Sequence, residues 1–426
     1  MIDPGLVRSA REFIHADRGP AYAFGTGVLA QAGTMAAQFG PRALVVTNGS
    51  PWQRSLMDLV RAALDRAGVS VAAIIRGARP DTPREDVLRI RALLDVTGHD
   101  VIVALGSGST IDAVKAAAAM CACGPSVRDP ADLFGAGRVT AALASRRGRL
   151  TPIVAVQTAA GSAAHLTKYA NVTNPAAGQK MLIIDDAITP PAAVFDYGCT
   201  VSAPHALTVN GAFDGIAHCL EVYYGAPAAV IAGIEPMALT GIRLVIAGLE
   251  SHIARPGDLA AREALGLGTD LGGCAIMAGG TSGGHLTSFS LVDILPHGRA
   301  CALMNPYFSV FFAPAIGPQL QAVAALLRET GYLLDDTARL SGYDLGLAVA
   351  RGLFNLSHFA GLPTTLAEVD GFKPRHIQRM LNAMAAPALA SKLRNMPVPI
   401  DPADAPRVLA PVLEAARTGD LELITG

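Results

Sequence analysis

The chain has one tryptophan, its aromatic residues make up only 5% of the total, and its charged residues only 16%. Lysine and arginine (34) nearly balance aspartate and glutamate (35), which leaves a formal net charge of −1. With no basic excess, and no basic run interleaved with aromatics, the electrostatic footprint of a nucleic-acid binder is missing, so nucleic acid is not an expected partner. Cysteines are few: Cys121, Cys123, Cys199, Cys219, Cys274 and Cys301, with no C-x-x-C pair. They read as buried thiols rather than a disulfide framework. Uninterrupted apolar runs of about 18 residues are also missing, so no membrane span is expected. The opening segment, MIDPGLVRSAREFIH, has acidic residues and a proline where a signal peptide needs an apolar core. A cytoplasmic location is expected.

What remains is apolar: 51% of 426 residues are hydrophobic, enough to bury two substantial cores. In the first half, β-branched runs at 43–47 (ALVVT), 71–75 (VAAII), 101–105 (VIVAL), 152–156 (PIVAV), 181–185 (MLIID) and 192–196 (AAVFD) alternate with helical stretches. Strands interleaved with helices require crossover connections, hence a largely parallel sheet. Thr82, Pro83 and Glu85 read as N-cap, first-turn proline and capping-box acid of a helix that buries Val87, Ile90 and Leu94. Residues 121–149, rich in Gly, Pro and Arg, read as an irregular surface connection. After Thr200 helical periodicity takes over. The expected fold is an α/β N-terminal dinucleotide-binding domain, Rossmann-like and mostly parallel, over 1–199, followed by an all-α C-terminal domain over 200–426.

Two motifs carry chemistry. In NGAFDGIAHCLEVYYG, Asp214 and His218 are four apart, so on a helix they point the same way and can meet one ion; His285 and His297 can close its shell. One oxygen and three nitrogens suit a divalent ion of the Fe, Zn, Co or Ni type better than Mg or Ca. Upstream, the apolar run Val101–Leu105 leads into Gly106-Ser107-Gly108-Ser109 and then a helix. A strand, a glycine turn and a helix N-terminus form the arrangement that receives a pyrophosphate.

Together, and in this order, the motifs resemble those of the iron-containing (group III) alcohol dehydrogenase family, from about Phe24 to the C-terminus. The family's glycine motif appears as Gly106, Ser107, Gly108, Ser109, Asp112 and Lys115. Its second cofactor loop appears at 158–167 with Thr158, Ser162 and Thr167 retained, and Lys180 matches a lysine near the nicotinamide ribose. The resemblance implies a cleft between the two domains, a metal held by Asp214, His218, His285 and His297 (Fe2+, with Zn2+ also suited), and NAD or NADP. It implies hydride transfer between the nicotinamide and a small alcohol or aldehyde, and a homo-oligomer, dimer or larger.

Three departures stand out. Phe289 occupies the place of a second family histidine beside the nicotinamide, which removes a proton relay, and the interval from His285 to His297 is two residues shorter than usual. Ala164-His165 replaces a Ser-Glu pair, with His165 reading as a surface or internally satisfied histidine. Where many NAD-preferring relatives have Asp, the first strand ends Thr47-Asn48-Gly49-Ser50, which removes the repulsion of a 2'-phosphate and leans slightly to NADP, with Asn48 and Ser50 near the ribose. The run Pro306–Phe312 and Phe289 read as helix core or as an apolar substrate wall, core being favoured for the run. Two other functions compete: a metal- and NAD-dependent lyase similar to 3-dehydroquinate synthase, against which GAFDGIAHCLE argues, and a non-catalytic dinucleotide-binding protein, against which the four ligand residues argue.

Overall fold

The computed structural model describes residues 2–398 and 400–424. Strands β1 (Tyr22–Gly25), β2 (Arg42–Thr47), β3 (Ser70–Arg76), β4 (Val101–Gly106), β5 (Gly135–Ala136), β6 (Ile153–Gln157), β7 (Tyr169–Asn174), β8 (Gln179–Ile184) and β9 (Ala192–Asp196) all precede residue 197. Six of them form one sheet in the order β1-β9-β6-β4-β2-β3, every pair parallel. The central strands are buried along their whole length, as expected when helices cover both faces, and each face has its own apolar cluster. From His205 onward the regular elements are helices, packed around a third and larger apolar cluster. The expected fold class is therefore observed.

Three local expectations need correction. The run 181–185 is a strand, but it belongs to a separate three-stranded sheet, β5-β8-β7, in which β8 pairs antiparallel with β7. Its alternating burial, unlike the continuous burial of β4, reflects one open face. Residues 121–149 are not wholly irregular: they contain β5 and a helix, Arg138–Arg146, whose first turn is held where Asp185 accepts from the Thr140 N–H. The helix after Thr82 begins at Arg84, with Pro83 rather than Thr82 at the N-cap. Asp81 and Thr82 instead adopt left-handed backbone (φ 61° and 52°), because Ser109 accepts from the Asp81 N–H and its carbonyl accepts from the Thr82 hydroxyl. The loop is thereby bound to the glycine turn.

The helix Ile231–Ala254 is long and apolar enough to cross a bilayer, yet it packs between the helices His205–Gly225 and Leu259–Ala278, with 56% of its most apolar window buried. It is a core helix of the second domain.

The two halves are joined by a buried polar knot. Asp270, on Leu259–Ala278, accepts from the hydroxyls of Tyr22 (2.6 Å) and Tyr197 (2.6 Å), and its other oxygen lies 3.1 Å from His165 Nε2. The Tyr22 hydroxyl is also 3.0 Å from that nitrogen. His165 is thus an internal histidine bonded through Nε2, its Nδ1 having no partner among the described residues, and burial holds it below its ordinary pKa, in the neutral form. Burial and then Asp270 lift both tyrosines well above theirs, so they stay protonated donors. Asp270→Ala would strand two hydroxyls and an imidazole, and is expected to cost about 3–5 kcal/mol. Urea unfolding checks this; an unchanged midpoint would mean that the knot contributes nothing.

Candidate active site

β4 ends at Gly106, Ser107 takes the N-cap position, and the helix Gly108–Cys123 begins at once. That helix is almost entirely buried, and its run Ala116–Ala119 lets it lie close on the sheet. A Cβ on Gly108 would stand 2.6 Å from Ser162 Oγ, and one on Gly106 would stand 2.6 Å from Thr110 Cβ, so both positions need glycine for close approach. Ser107, Gly108, Ser109, Asp112, Ser162 and Lys180 line a cleft of about 610 Å³ between the domains, a size suited to a cofactor. The Lys180 ammonium is paired with Asp81 at 2.7 Å, and its backbone N–H donates to the Phe289 carbonyl. Lys115, by contrast, is spent on structure, donating to the carbonyls of Thr167 (2.7 Å) and Tyr169 (2.9 Å).

Not every expected cofactor residue lines this cleft. Thr158 is buried behind it, accepting from Gln53 Nε2, and Gly106 lies beneath the turn. Asn48 and Ser50 sit at the end of β2 outside the lining, where Asn48 Oδ1 accepts from the Ser50 N–H in a local turn. Thr167 faces a smaller inner cavity of about 50 Å³, which shares Asp112, Ser162, Asn171, Asp214 and His297 with the cleft.

At that junction the four expected ligand residues meet. Asp214 and His218 lie on His205–Gly225, His285 on the short helix Gly283–Ser288, and His297 at the start of His297–Phe312. The Nε2 atoms of His218, His285 and His297 each lie 3.6 Å from the same oxygen, Asp214 Oδ1. Two ligands bound about 2.1 Å from a tetrahedral ion stand about 3.4 Å apart, so the spacing is that of a metal shell. Asp214 Oδ1 and His285 Nε2 are buried with no hydrogen-bond partner among the described residues. Such orphaned atoms are costly unless a cation satisfies them.

The residues around the four prepare them for it. Glu221 accepts from His285 Nδ1 at 2.8 Å and from the backbone N–H groups of Ser282 and His285, which leaves His285 Nε2 free to donate its lone pair. The Ser288 hydroxyl donates to the His285 carbonyl, so its oxygen accepts from His297 Nδ1 (3.1 Å) and His297 Nε2 is likewise free. Burial would raise the Asp214 carboxyl, but the His218, His297 and His285 imidazoles overcome it and hold it well below the usual range. Burial pushes His218 down to about 4, and burial with the Lys180 ammonium pushes His297 well below its ordinary value. Burial opposes charge on His285 too, but there Cys301 and Glu221 win and raise it. An ionised carboxylate beside two imidazoles held neutral, with a third whose far nitrogen is bound by Glu221, is a donor set for a cation.

Cys301 also comes close: its sulfur and ligand atoms of Asp214, His285 and His297 all lie within 4.8 Å of one another, a group that leaves out His218. The thiol, however, stands 3.7 Å from His285 Nδ1, the nitrogen already committed to Glu221. His218 Nε2 shares the Asp214 oxygen with the other two imidazoles, so the four histidine and aspartate ligands form the better set. Glu221 was missed from sequence, although it continues the 214, 218 spacing on one helix face. Lys392 was also missed; it lines the inner cavity with all four ligands, and nothing in ALASKLRNM marks it.

The chain matches the family model for iron-containing alcohol dehydrogenase over residues 20–197 and the family's C-terminal model over 208–399. It belongs to the iron-containing alcohol dehydrogenase family. It is 27% identical to NAD-dependent methanol dehydrogenase of Bacillus methanolicus over 365 residues, 84% of this chain and 90% of the relative. It is 26% identical to 1,3-propanediol dehydrogenase of Klebsiella pneumoniae over 339 residues, 78% and 81% of the two chains. Among solved structures, an alcohol dehydrogenase from Oenococcus oeni superposes with a TM-score of 0.77 at 22% identity, covering 93% of this chain and 97% of that one. As a member of this family the chain is an oxidoreductase acting on CH–OH groups, with a metal ion and a nicotinamide dinucleotide as cofactors. The lyase and non-catalytic readings fall away.

Gly108→Val places a branched side chain against Ser162 and over the turn. Dinucleotide affinity is expected to fall by about tenfold or more, some 1.4 kcal/mol, for lost pyrophosphate contacts. Unchanged affinity by calorimetry would put the cofactor elsewhere.

Proposed function

We propose that this enzyme interconverts short alcohols and their aldehydes or ketones, with Asp214, His218, His285 and His297 as its metal ligands. The observation that carries this is the single Asp214 oxygen 3.6 Å from three imidazole nitrogens, at the inner end of the cofactor cleft. When bound there, iron, or zinc in its place, supplies a Lewis acid for the reacting oxygen, and the nicotinamide exchanges hydride with the adjacent carbon.

The chain's own residues do the rest. Backbone N–H groups of Ser107, Gly108 and Ser109, at the N-terminus of a 16-residue helix, receive the pyrophosphate. Asp112, Ser162, Thr167 and Lys180 border the nicotinamide end, and Thr158 supports the loop from behind. Glu221 and Ser288 fix the imidazole orientations, so no reorganisation is needed when charge develops. Phe289, buried against His297, walls the site but carries no proton, which leaves proton exchange to cleft water or the cofactor ribose. The run Tyr307 to Phe312 is helix core and contributes no wall. The small inner cavity, and the short alcohols for which two relatives are named, support a small substrate. Six unpaired thiols suit a reducing compartment, in keeping with a cytoplasmic enzyme. The division into functional halves falls near residue 199, with the cofactor turn before it and all four ligands after.

The purified protein is expected to hold about one divalent transition-metal ion per chain, and His285→Ala or His297→Ala to lose most of it, since a three-ligand remnant binds more weakly. Elemental analysis finding full occupancy in both variants would overturn the assignment.

Asn48 stands at the end of β2 outside the cleft lining, and without a carboxylate's charge it leaves that approach open to NADP as well as NAD. Asn48→Asp is expected to move the ratio of catalytic efficiencies towards NAD by about tenfold, ~1.4 kcal/mol, through repulsion of the 2'-phosphate. Steady-state kinetics with both cofactors and no change in ratio would remove Asn48 from the ribose site.

A further inference from the structure

Lys392 lies in the short helix Ala390–Arg394 and is only 5% exposed, yet it lines the inner cavity together with Asp214, His218, His285 and His297. Its ammonium donates to Thr281 Oγ1, its single hydrogen bond among the described residues, and forms no ion pair among them. An ammonium has three N–H donors. The rings of Phe289 (5.4 Å to the centroid) and Tyr169 (5.9 Å) flank the rest as a partial aromatic cage.

Among the described residues, no carboxylate is in ion-pair contact with it. Glu221 is within electrostatic reach, but its oxygens are taken by His285 Nδ1 and by the N–H groups of Ser282 and His285. Asp214, the other nearby carboxylate, is shared among three imidazoles. Burial lowers the Lys392 pKa to about 8, against the pull of Glu221, Cys301 and Asp214, so the group is still mainly cationic at neutral pH. A buried cation with free donors and no carboxylate in ion-pair contact among the described residues, facing a cavity of about 50 Å³, is a site that an anion completes.

We propose that Lys392 binds an acidic group on the substrate, and that the enzyme acts on short oxo acids and the matching hydroxy acids. The proposal rests on the reading of Asp214 and the three histidines as the reacting end. The carbonyl lies at that end and the carboxylate at Lys392, and the small cavity limits the chain between them to a few carbons. In the reductive direction NAD(P)H gives hydride to the carbonyl carbon, the C=O π bond breaks, and a proton from solvent completes the hydroxyl. The products are the hydroxy acid and NAD(P)+, and the carboxylate is unchanged. Lys392 is a specificity residue, since its charge holds the end of the substrate that does not react.

The test uses the metal-loaded protein with NAD(P)H, comparing 3-oxopropanoate and 4-oxobutanoate with propanal and butanal. The wild type is expected to favour the acids by about tenfold in kcat/KM, chiefly through KM, as one charge-assisted contact allows. Lys392→Met is expected to abolish that ratio, and Lys392→Arg to restore part of it. Succinate binding, followed by calorimetry in the presence of NAD(P)+, is expected for the wild type and lost in Lys392→Met. Should Lys392→Met fail to fold, the wild-type ratio and succinate binding decide alone. Equal efficiencies for acids and neutral aldehydes in the wild type, or a Lys392→Met that weakens both alike as a purely structural lysine would, overturn the proposal. If no alcohol or aldehyde turns over, the proposed reaction itself fails, and succinate binding still decides for or against Lys392 as an anion site.

Discussion

A buried carboxylate oxygen that accepts no hydrogen bond among the described residues sets the terms for the centre of this molecule. Asp214 Oδ1 is taken out of water by the helices of the second domain, and burial alone would favour its neutral form. Three imidazoles ring it at equal distance, so the electrostatic problem is solved only by positive charge among them. Much of the surrounding structure serves this condition. Glu221 and Ser288 each occupy the far nitrogen of a candidate ligand histidine, and their partners are in turn backbone groups of the Ser282–Ser288 segment. The ligand geometry is thus held by hydrogen bonds to backbone, which move less than side chains do.

The cofactor cleft depends on how the domains are set against each other. The glycine turn at the end of β4 and the loop after β6 are in van der Waals contact at Gly108 and Ser162, and that second loop packs on the Asp214 helix, where a Cβ on Gly211 would stand 2.0 Å from the Ala160 carbonyl. The knot of Tyr22, His165, Tyr197 and Asp270 lies within the same junction, and in it both hydroxyls, both Asp270 oxygens and His165 Nε2 find partners, as polar groups in low-dielectric interiors require. His165 is thereby part of the interdomain joint and does not line the cleft.

Legibility from sequence followed the range of the interaction. Asp214 and His218 were readable because a helix places residues four apart on one side, and β4 with its glycine turn was readable because strand, turn and helix start are local events. The same local logic failed at Thr82, whose hydroxyl fits an N-cap by pattern but bonds to the Ser109 carbonyl instead. It failed for 181–185 as well, since a β-branched run says that a strand forms but not which sheet it joins. β1, only four residues long, and β7 carried too little pattern to be seen.

Composition, hydrophobic period and motif order by themselves determined the α/β-then-α architecture, and the glycine turn after β4 and the Asp214–His218 pair were readable because each is expressed within a turn or two of chain. Only the tertiary structure decided what surrounds them. Glu221 touches a histidine 64 residues away, and Lys392 is anchored to Thr281, 111 residues away. It also decided that Asn48 and Thr158 stand outside the cleft lining while Phe289 stands inside the cavity. Contacts of that separation leave no periodicity in a sequence; they are chosen by which packed arrangement buries the apolar surface of the whole chain.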